Sequence, residues 1–206
     1  MKLRTLEMAL EGLEGFGRPD PRIEQYTTPA VLAARLLYHA HLLGDIGGRA
    51  VCDLGCGTGV LACGAALLGA ERVVGVELDS GALAVAKRNA AHLEAGIELV
   101  QGDVRDSALI EDLGSFDTVI MNPPFGAQDP HADRPFVDAA LVLAPIVYGI
   151  FNTGSIPFLE AFTAGRAEIE FAIGGIFPLK RTFPFHRRDI VEIEVEIVRI
   201  RRREGA

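Results

Sequence analysis

The stretch Asn122-Pro123-Pro124-Phe125 combines residue types that can hold a planar amino group on a ring. It directly follows residues 116–121, an apolar run that is typical of a buried strand. Proline fixes φ and donates no backbone hydrogen bond, so the carbonyls before the two prolines point in narrow directions. The Asn122 amide and the Pro123 carbonyl can accept hydrogen bonds from an NH₂ group, and the Phe125 ring can stack on the base. The stretch therefore predicts a site for chemistry on an aromatic amine.

A glycine-rich loop follows an earlier strand. Residues 50–54 form a short apolar strand that leads into Gly55-Cys56-Gly57-Thr58-Gly59 and then into an apolar helix. Strand, glycine loop and helix together begin a βαβ nucleotide site. The dinucleotide fingerprint requires glycine at position 60, where this chain has Val60. The arrangement Asp53-x-Gly55-x-Gly57-x-Gly59 instead suits S-adenosylmethionine, because Asp53 can complement its positive amino-acid end.

Two further predicted strands are followed by acidic residues. Residues 72–77 end at Glu77, whose carboxylate can accept both ribose hydroxyl protons. The alternative is that Glu77 only caps the next helix. Residues 97–101 are followed by Gly102 and Asp103, and the Asp103 carboxylate can meet the edge of adenine. Since ligands of open α/β sheets bind at the carboxyl ends of the strands, these acids are expected to lie beside the glycine loop and Asn122.

The composition is that of one globular domain spanning residues 1–206. Hydrophobic residues make up 49% and charged residues 23% of the 206 residues, and no linker or repeat interrupts them. No apolar run reaches the length of a membrane span and the first residues do not form a signal peptide, so we expect a cytoplasmic protein. Cys52, Cys56 and Cys63 have no second Cys/His cluster, which favours core positions over a disulfide or a metal site.

Residues 1–44 are predicted to form an N-terminal helical segment. Leucines recur at helical spacing within residues 1–16, and Thr28 has the features of an N-cap with Pro29 as the first helical residue. Local sequence favours an ordinary loop for Gln25. Further along, alternating apolar and acidic residues predict two final strands that pair antiparallel. The chain is therefore expected to be an α/β protein with five βα units, a terminal hairpin and an N-terminal helical extension.

On these motifs the chain resembles the methyltransferase-like protein five family, which methylates the N6 amino group of adenine in small-subunit ribosomal RNA. Within this family, the chain resembles the archaeal members. It implies the class I methyltransferase sheet, with seven strands in the order 3-2-1-4-5-7-6. The segments that support the resemblance are Glu24-Gln25-Tyr26 with Thr28, residues 53–60, residues 116–126, and residues 185–186 with 189–192.

The resemblance also implies roles for individual residues and a partner. It changes the interpretation of Gln25 and Thr28 from a loop to a lid over the cofactor. It further implies a heterodimer with a small zinc-binding activator protein, docked on the edge of strand 97–101. The residues expected to line S-adenosylmethionine are Gln25, Thr28, Asp53, Gly55, Thr58, Gly59, Val60, Glu77, Asp103 and Val104.

Basic residues near the end of the chain are candidates for RNA contact. The net charge of −8 argues against a general nucleic-acid binder, so a basic surface must be local or come from a partner. The arginines of residues 199–203 are expected to follow the last strand, where phosphate contact and simple tail charge are equal alternatives. A second cluster lies between the last two strands and comprises Lys180, Arg181, His186, Arg187 and Arg188.

Two other functions are compatible with the motifs. A protein-glutamine methyltransferase uses a similar Asn-Pro-Pro motif on a side-chain amide, but usually has Tyr where this chain has Phe125 and carries an additional N-terminal helical domain. The other alternative is a non-catalytic RNA-binding or assembly module that retains a cofactor pocket. The intact Asn122 and glycine loop favour an enzyme over this module.

Overall fold

The computed structural model describes residues 1–17, 25–125, 131–180, 190–203 and 205. Its centre is a seven-stranded sheet in the order β3-β2-β1-β4-β5-β7-β6. The first five strands are parallel, and β7 pairs antiparallel with both β5 and β6. This confirms the predicted strand order. The strands are β1 (Ala50–Leu54), β2 (Arg72–Glu77), β3 (Glu98–Gln101), β4 (Thr118–Met121), β5 (Ile146–Asn152), β6 (Ala167–Lys180) and β7 (Ile190–Arg202).

Helices cover both faces of the sheet, which explains why the parallel strands are continuous apolar runs rather than alternating ones. All four residues of β4, for example, are buried. Helices α1, α2 and α3 pack on one face, and α5, α6 and α7 pack on the other. None of the helices in the described residues is long and apolar enough to cross a membrane. The helices are α1 (Leu3–Glu11), α2 (Ala30–Leu42), α3 (Val60–Leu67), α4 (Ser80–His92), α5 (Ser107–Leu113), α6 (Arg134–Leu143) and α7 (Ile156–Phe162).

The structure corrects the predicted start of α2. The helix begins at Ala30, and Pro29 occupies the N-cap position with φ −59° and ψ 135°. No side chain caps the helix, so the prediction that Thr28 is the N-cap is wrong. Proline disfavours a helical conformation in the residue before it, which keeps Thr28 outside the helix. The Thr28 hydroxyl is therefore available for a contact elsewhere.

The terminal hairpin is longer than the strand beside it. β6 and β7 contain 14 and 13 residues, whereas β5 contains 7. Asn152 at the carboxyl end of β5 is level with Val195, so residues 190–194 continue beyond it. Lys180 is the last residue of β6, at this far end of the hairpin. Arg181, His186, Arg187 and Arg188, the rest of the predicted basic cluster, lie outside the described residues.

The predicted position of the C-terminal arginines is wrong. Arg199, Arg201 and Arg202 belong to β7, and Arg203 follows it. Arg199 is only 5% exposed, because its guanidinium donates to Asp45 Oδ2 at 2.9 and 3.0 Å and also pairs with Glu170. Arg199 is thus an internal cation with two carboxylate partners. It is neither a phosphate contact nor part of a charged tail, the two roles considered from the sequence.

This position predicts a large difference between two arginines that are close in sequence. Arg199→Ala removes a buried cation from its contacts with Asp45 and Glu170 and leaves a cavity beside Tyr148, so the free energy of unfolding should fall by about 3–5 kcal/mol. Arg203→Ala removes an exposed charge and should change it by less than about 0.5 kcal/mol. Urea denaturation of both variants measures the difference, and equal effects would contradict the buried position of Arg199.

Candidate functional site

A cavity of about 370 Å³ opens at the carboxyl ends of β1, β2 and β4. It receives side chains or backbone from most of the predicted cofactor residues, although these are spread over four strand ends and the N-terminal segment. The predicted residues that line the cavity are Gln25, Thr28, Asp53, Gly55, Thr58, Val60, Glu77, Asp103, Val104, Asn122 and Pro124. Gly59 is not among them, since its Cα packs against α4, where an added Cβ would lie 3.1 Å from Ala86.

The glycine loop holds its backbone open to the cavity. Gly55 and Gly57 have φ values of +69° and +54°, a conformation that costs little only for glycine. Aromatic rings also occupy the space that side chains would need. A Cβ on Gly55 would lie 2.7 Å from the Phe136 ring, and a Cβ on Gly57 would lie 2.9 Å from the Phe16 ring. These rings exclude any side chain at the two positions, while the backbone of both glycines still lines the cavity.

Glu77 joins the glycine loop to the start of α4. Its Oε2 accepts a hydrogen bond from the Gly57 N–H and its Oε1 accepts one from the Asp79 N–H, both at 2.9 Å. Asp79, and not Glu77, caps α4 by accepting from the Gly81 N–H at 2.7 Å. Each Glu77 oxygen keeps a further acceptor site, because a carboxylate oxygen can accept two hydrogen bonds. The carboxylate is therefore oriented and still able to bind two hydroxyl groups.

Asp53 is an acid held in an apolar setting. It is 1% exposed, and its Oδ2 accepts from the Ala62 N–H at 2.9 Å, whereas its Oδ1 has no partner among the described residues. Burial raises the pKa of Asp53 to about 8, and the negative charge of Glu77 adds to the effect. A cation in the cavity would favour the ionised carboxylate and satisfy the unpartnered oxygen.

The N-terminal segment closes one side of the cavity. Asn89 of α4 donates to the Glu14 carbonyl at 3.0 Å and to the Thr58 carbonyl at 2.8 Å, and it accepts from the Glu14 N–H. These bonds hold the chain just before Phe16 against the glycine loop. Farther along, Gln25 is 7% exposed and donates from Nε2 to Asp79 Oδ2 at 2.7 Å. Gln25 thus reaches the acid that caps α4.

Asp103 lies at the cavity, but its carboxylate is already paired. Arg105 Nε donates to both of its oxygens, at 2.9 and 3.0 Å. The hydrogen bonds from Arg105 lower the pKa of Asp103, while partial burial opposes them. The predicted contact with an adenine edge is therefore shared with Arg105, whose position two residues later in a turn gave no signal in the sequence.

The Asn122–Phe125 stretch is held by side chains from distant parts of the chain. Asn122 Nδ2 donates to Thr28 Oγ1 at 3.0 Å, and Asn122 Oδ1 is buried with no partner among the described residues. The Phe125 carbonyl accepts from Asn152 Nδ2 at 3.3 Å, and the Phe125 ring meets Phe177 edge-on with 5.5 Å between centroids. Asn122 and Pro124 line the cavity, whereas Pro123 and Phe125 are not part of its lining.

The sequence interpretation missed several lining residues. Leu78 directly follows Glu77 and is 50% exposed beside the cavity, where it can form an apolar wall together with Val104. The available signal in the sequence was the position of this leucine, directly after an acidic strand end. Phe16 and Phe136 gave no such signal, because each reaches the glycine loop from a separate element.

The comparison with protein families identifies the chain. The family model described as the methyltransferase small domain matches residues 32–144, more than half of the sequence. This chain belongs to that family. The methyltransferase is 34% identical over 209 residues to the rRNA N(6)-adenosine-methyltransferase Mettl5 of Drosophila melanogaster, covering 97% of this chain and 96% of the relative. It is 38% identical to an uncharacterized protein of Methanocaldococcus jannaschii, covering 97% and 94%.

Solved structures of similar proteins have the same fold over their whole length. The PH1948 protein of Pyrococcus horikoshii superposes with a TM-score of 0.90 at 38% identity, covering 98% of each chain. A Thermoplasma acidophilum protein superposes with a TM-score of 0.78 at 32% identity, covering 99% of each chain. The predicted class I methyltransferase fold and the predicted family are both confirmed.

S-adenosylmethionine is the cofactor of this methyltransferase, as predicted. The cavity fits the molecule in two respects. Asp53 Oδ1, which has no partner among the described residues, complements a cation, and the backbone of Gly55 and Gly57 lines the cavity. Gln25, Glu77 and Val104 are proposed to complete its binding site from three further directions.

The raised pKa of Asp53 predicts a pH-dependent stability. The unfolded chain loses the Asp53 proton near pH 3.8 and the folded chain near pH 8, so unfolding releases a proton between these values. Stability should therefore fall as pH rises through this window. Asp53→Asn removes the titration, and its gain in melting temperature over the wild type should be larger at pH 8 than at pH 5. An equal difference in melting temperature at both pH values would show that Asp53 does not have a raised pKa in the folded chain.

Proposed function

We propose that this methyltransferase transfers a methyl group from S-adenosylmethionine to the N6 amino group of an adenine in RNA, with small-subunit ribosomal RNA as the substrate class. The observation that supports this most directly is the amide of Asn122. Its oxygen is a buried acceptor without a partner in the part of the chain that the structure describes, and the residue lines the cofactor cavity. An unsatisfied buried carbonyl oxygen costs about 1–3 kcal/mol, and a substrate NH₂ group would satisfy it.

Methyl transfer to an adenine amino group requires mainly that the protein position this group against the methyl donor. The amino nitrogen of adenine is a weak nucleophile because its lone pair is delocalised into the ring. Hydrogen bonds to Asn122 Oδ1 and the Pro123 carbonyl favour a tetrahedral nitrogen and direct its lone pair toward the methyl donor. S-adenosylmethionine supplies a methyl group on a cationic sulfur, so positive charge disperses during transfer and no strong base is required before attack. Phe125 stacks on the base, which must be unpaired or flipped out to enter.

The relatives favour adenine over glutamine as the acceptor. The rRNA N(6)-adenosine-methyltransferases of Drosophila melanogaster and Danio rerio match 97% of this chain. A release factor glutamine methyltransferase of Corynebacterium glutamicum is 37% identical but matches only 53% of this chain and 44% of its own length. The glutamine enzyme thus shares about half of this chain, and the adenine enzymes share nearly all of it.

We assign RNA contact to Lys180, Arg181, His186, Arg187 and Arg188. The described part of the hairpin supports this, because β6 and β7 run past the carboxyl end of β5 on the side of the cavity. A chain with a net charge of −8 needs such a local concentration of cations to bind phosphates. Of the C-terminal arginines, Arg203 remains available for RNA, whereas Arg199 does not.

A partner protein is proposed for the opposite end of the sheet. β3 is the terminal strand in the sheet order and pairs with β2 on one side. The backbone groups on the other side of an edge strand can pair with an added strand. By resemblance, the occupant is a small zinc-binding activator protein that docks along residues 97–101 and forms a heterodimer with this chain.

Replacing the proposed catalytic amide should strongly slow turnover and leave cofactor binding nearly unchanged. Asn122→Ala removes the acceptor that is engaged in the transition state, so the single-turnover rate should fall on the order of 10²-fold or more. The dissociation constant for S-adenosylmethionine should change little, because the other contacts to the cofactor remain. The rate is measured with labelled cofactor on ribosomal RNA and the affinity by calorimetry. Methylation at the wild-type rate would refute the role of Asn122.

The hairpin cations should appear in the salt dependence of RNA binding. The double variant Arg187→Gln with Arg188→Gln should reduce the slope of log affinity against log salt by about 1.4, from 0.7 for each single-stranded phosphate contact. The control, Lys2→Gln with Arg4→Gln, removes the same charge from exposed positions beside and on α1. An equal slope for the hairpin variant and the control would show that the loop does not touch RNA.

A further inference from the structure

The side-chain amide of Asn122 can serve the proposed reaction in only one of its two orientations. The oxygen and nitrogen ends of an amide have nearly the same shape, but only the oxygen accepts hydrogen bonds. If the amide turned over, its NH₂ group would face the NH₂ group of the substrate, and no hydrogen bond would form. The productive orientation therefore requires an acceptor for the nitrogen end on the side away from the substrate.

Thr28 is the residue in contact with that nitrogen. Its Oγ1 accepts from Asn122 Nδ2 at 3.0 Å, which leaves Asn122 Oδ1 without a partner among the described residues. The two residues are 94 positions apart in the chain, so the contact exists only in the folded protein. Thr28 is available for it because α2 begins at Ala30 and takes no cap from a side chain.

The Thr28 backbone is fixed on both sides. Three residues earlier, Gln25 is buried and donates to Asp79 at 2.7 Å. Immediately after it, α2 packs Leu32, Leu36 and Leu37 fully into the core. The hydroxyl is therefore presented by a segment that is tied to the cofactor side of the cavity and to the sheet at once. A hydroxyl held in this way fixes the position of the side chain that it binds.

We propose that Thr28 is a positioning residue for methyl transfer: it accepts from the nitrogen end of the Asn122 amide and so holds this side chain in place with its oxygen end toward the target amine. This rests on the proposed function, and it gives the N-terminal segment a role in the chemical step beyond lining the cofactor. Thr28 acts through Asn122 and does not touch the reacting atoms.

Thr28→Val tests the assignment, because valine keeps the shape and β-branching of threonine and removes only the hydroxyl, which is the acceptor for the amide nitrogen. Loss of one oriented hydrogen bond should lower kcat about tenfold. The dissociation constant for S-adenosylmethionine and the KM for RNA should stay within about twofold, because the Thr28 hydroxyl is engaged with Asn122 and valine keeps the lining surface that Thr28 presents to the cavity. Thr28→Ser restores the hydroxyl and should recover most of the lost kcat.

A double-mutant cycle separates this role from any direct effect on the cofactor. If Thr28 acts through Asn122, adding Thr28→Val to Asn122→Ala should cause no further loss in the single-turnover rate. If the two losses multiply, Thr28 acts independently and the assignment is wrong. Thermal unfolding confirms that each variant is folded, and Thr28→Ala provides the same comparison if the valine variant is not.

The outcomes distinguish this inference from the proposed function. If the wild-type chain methylates adenine and Thr28→Val keeps its kcat, only the positioning role is refuted. A loss that appears as weaker cofactor binding also refutes it. If the wild-type chain does not methylate adenine at all, the proposed function fails and the positioning role fails with it.

Discussion

The parallel pairing of β1 with β2 and β4 is the constraint on which the rest of the site depends. Leu54 is level with both Val76 and Met121, so these three strands end side by side. The residues that follow them are the glycine loop, Glu77 and Asn122, and they must share one edge of the sheet. Burial of the strands on both faces keeps this register, because a slip would move apolar side chains relative to both helix layers.

The N-terminal segment supplies a second constraint from outside the sheet. It contacts the site through the Phe16 ring over Gly57, through Gln25 on Asp79, and through Thr28 on Asn122. Asp79 caps α4 and Asn89 of the same helix holds the chain before Phe16, so α4 anchors this segment in two places. Cofactor binding and orientation of the proposed catalytic amide are thus linked through residues that precede the sheet.

Local patterns in the sequence predicted most of the fold and part of the site. Strand ends that carry Asp53, Glu77 and Asn122 could be found because each acid or amide directly follows an apolar run. Long-range contacts could not be found in this way. The edge-on contact of Phe125 with Phe177, and the Phe136 ring beside Gly55, depend on how the helices and the hairpin fold back onto the sheet.

Two errors have the same physical cause. Arg199 has the sequence context of a basic tail, but β7 continues to Arg202 and buries this arginine between Asp45 and Glu170. Thr28 has the local sequence of a helix cap, but its hydroxyl is bonded to a residue that lies 94 positions away. In both cases a tertiary partner decided the role of a polar side chain, and sequence spacing contains no information about that partner.

The most direct test of the account is the chemical identity of the methylated product. The purified chain is incubated with deuterated-methyl S-adenosylmethionine and small-subunit ribosomal RNA, and the RNA is then digested to nucleosides for mass spectrometry. The account predicts that the label appears in N6-methyladenosine and that Asn122→Ala loses it. Label in another nucleoside, or in a protein glutamine with none in N6-methyladenosine, would contradict it.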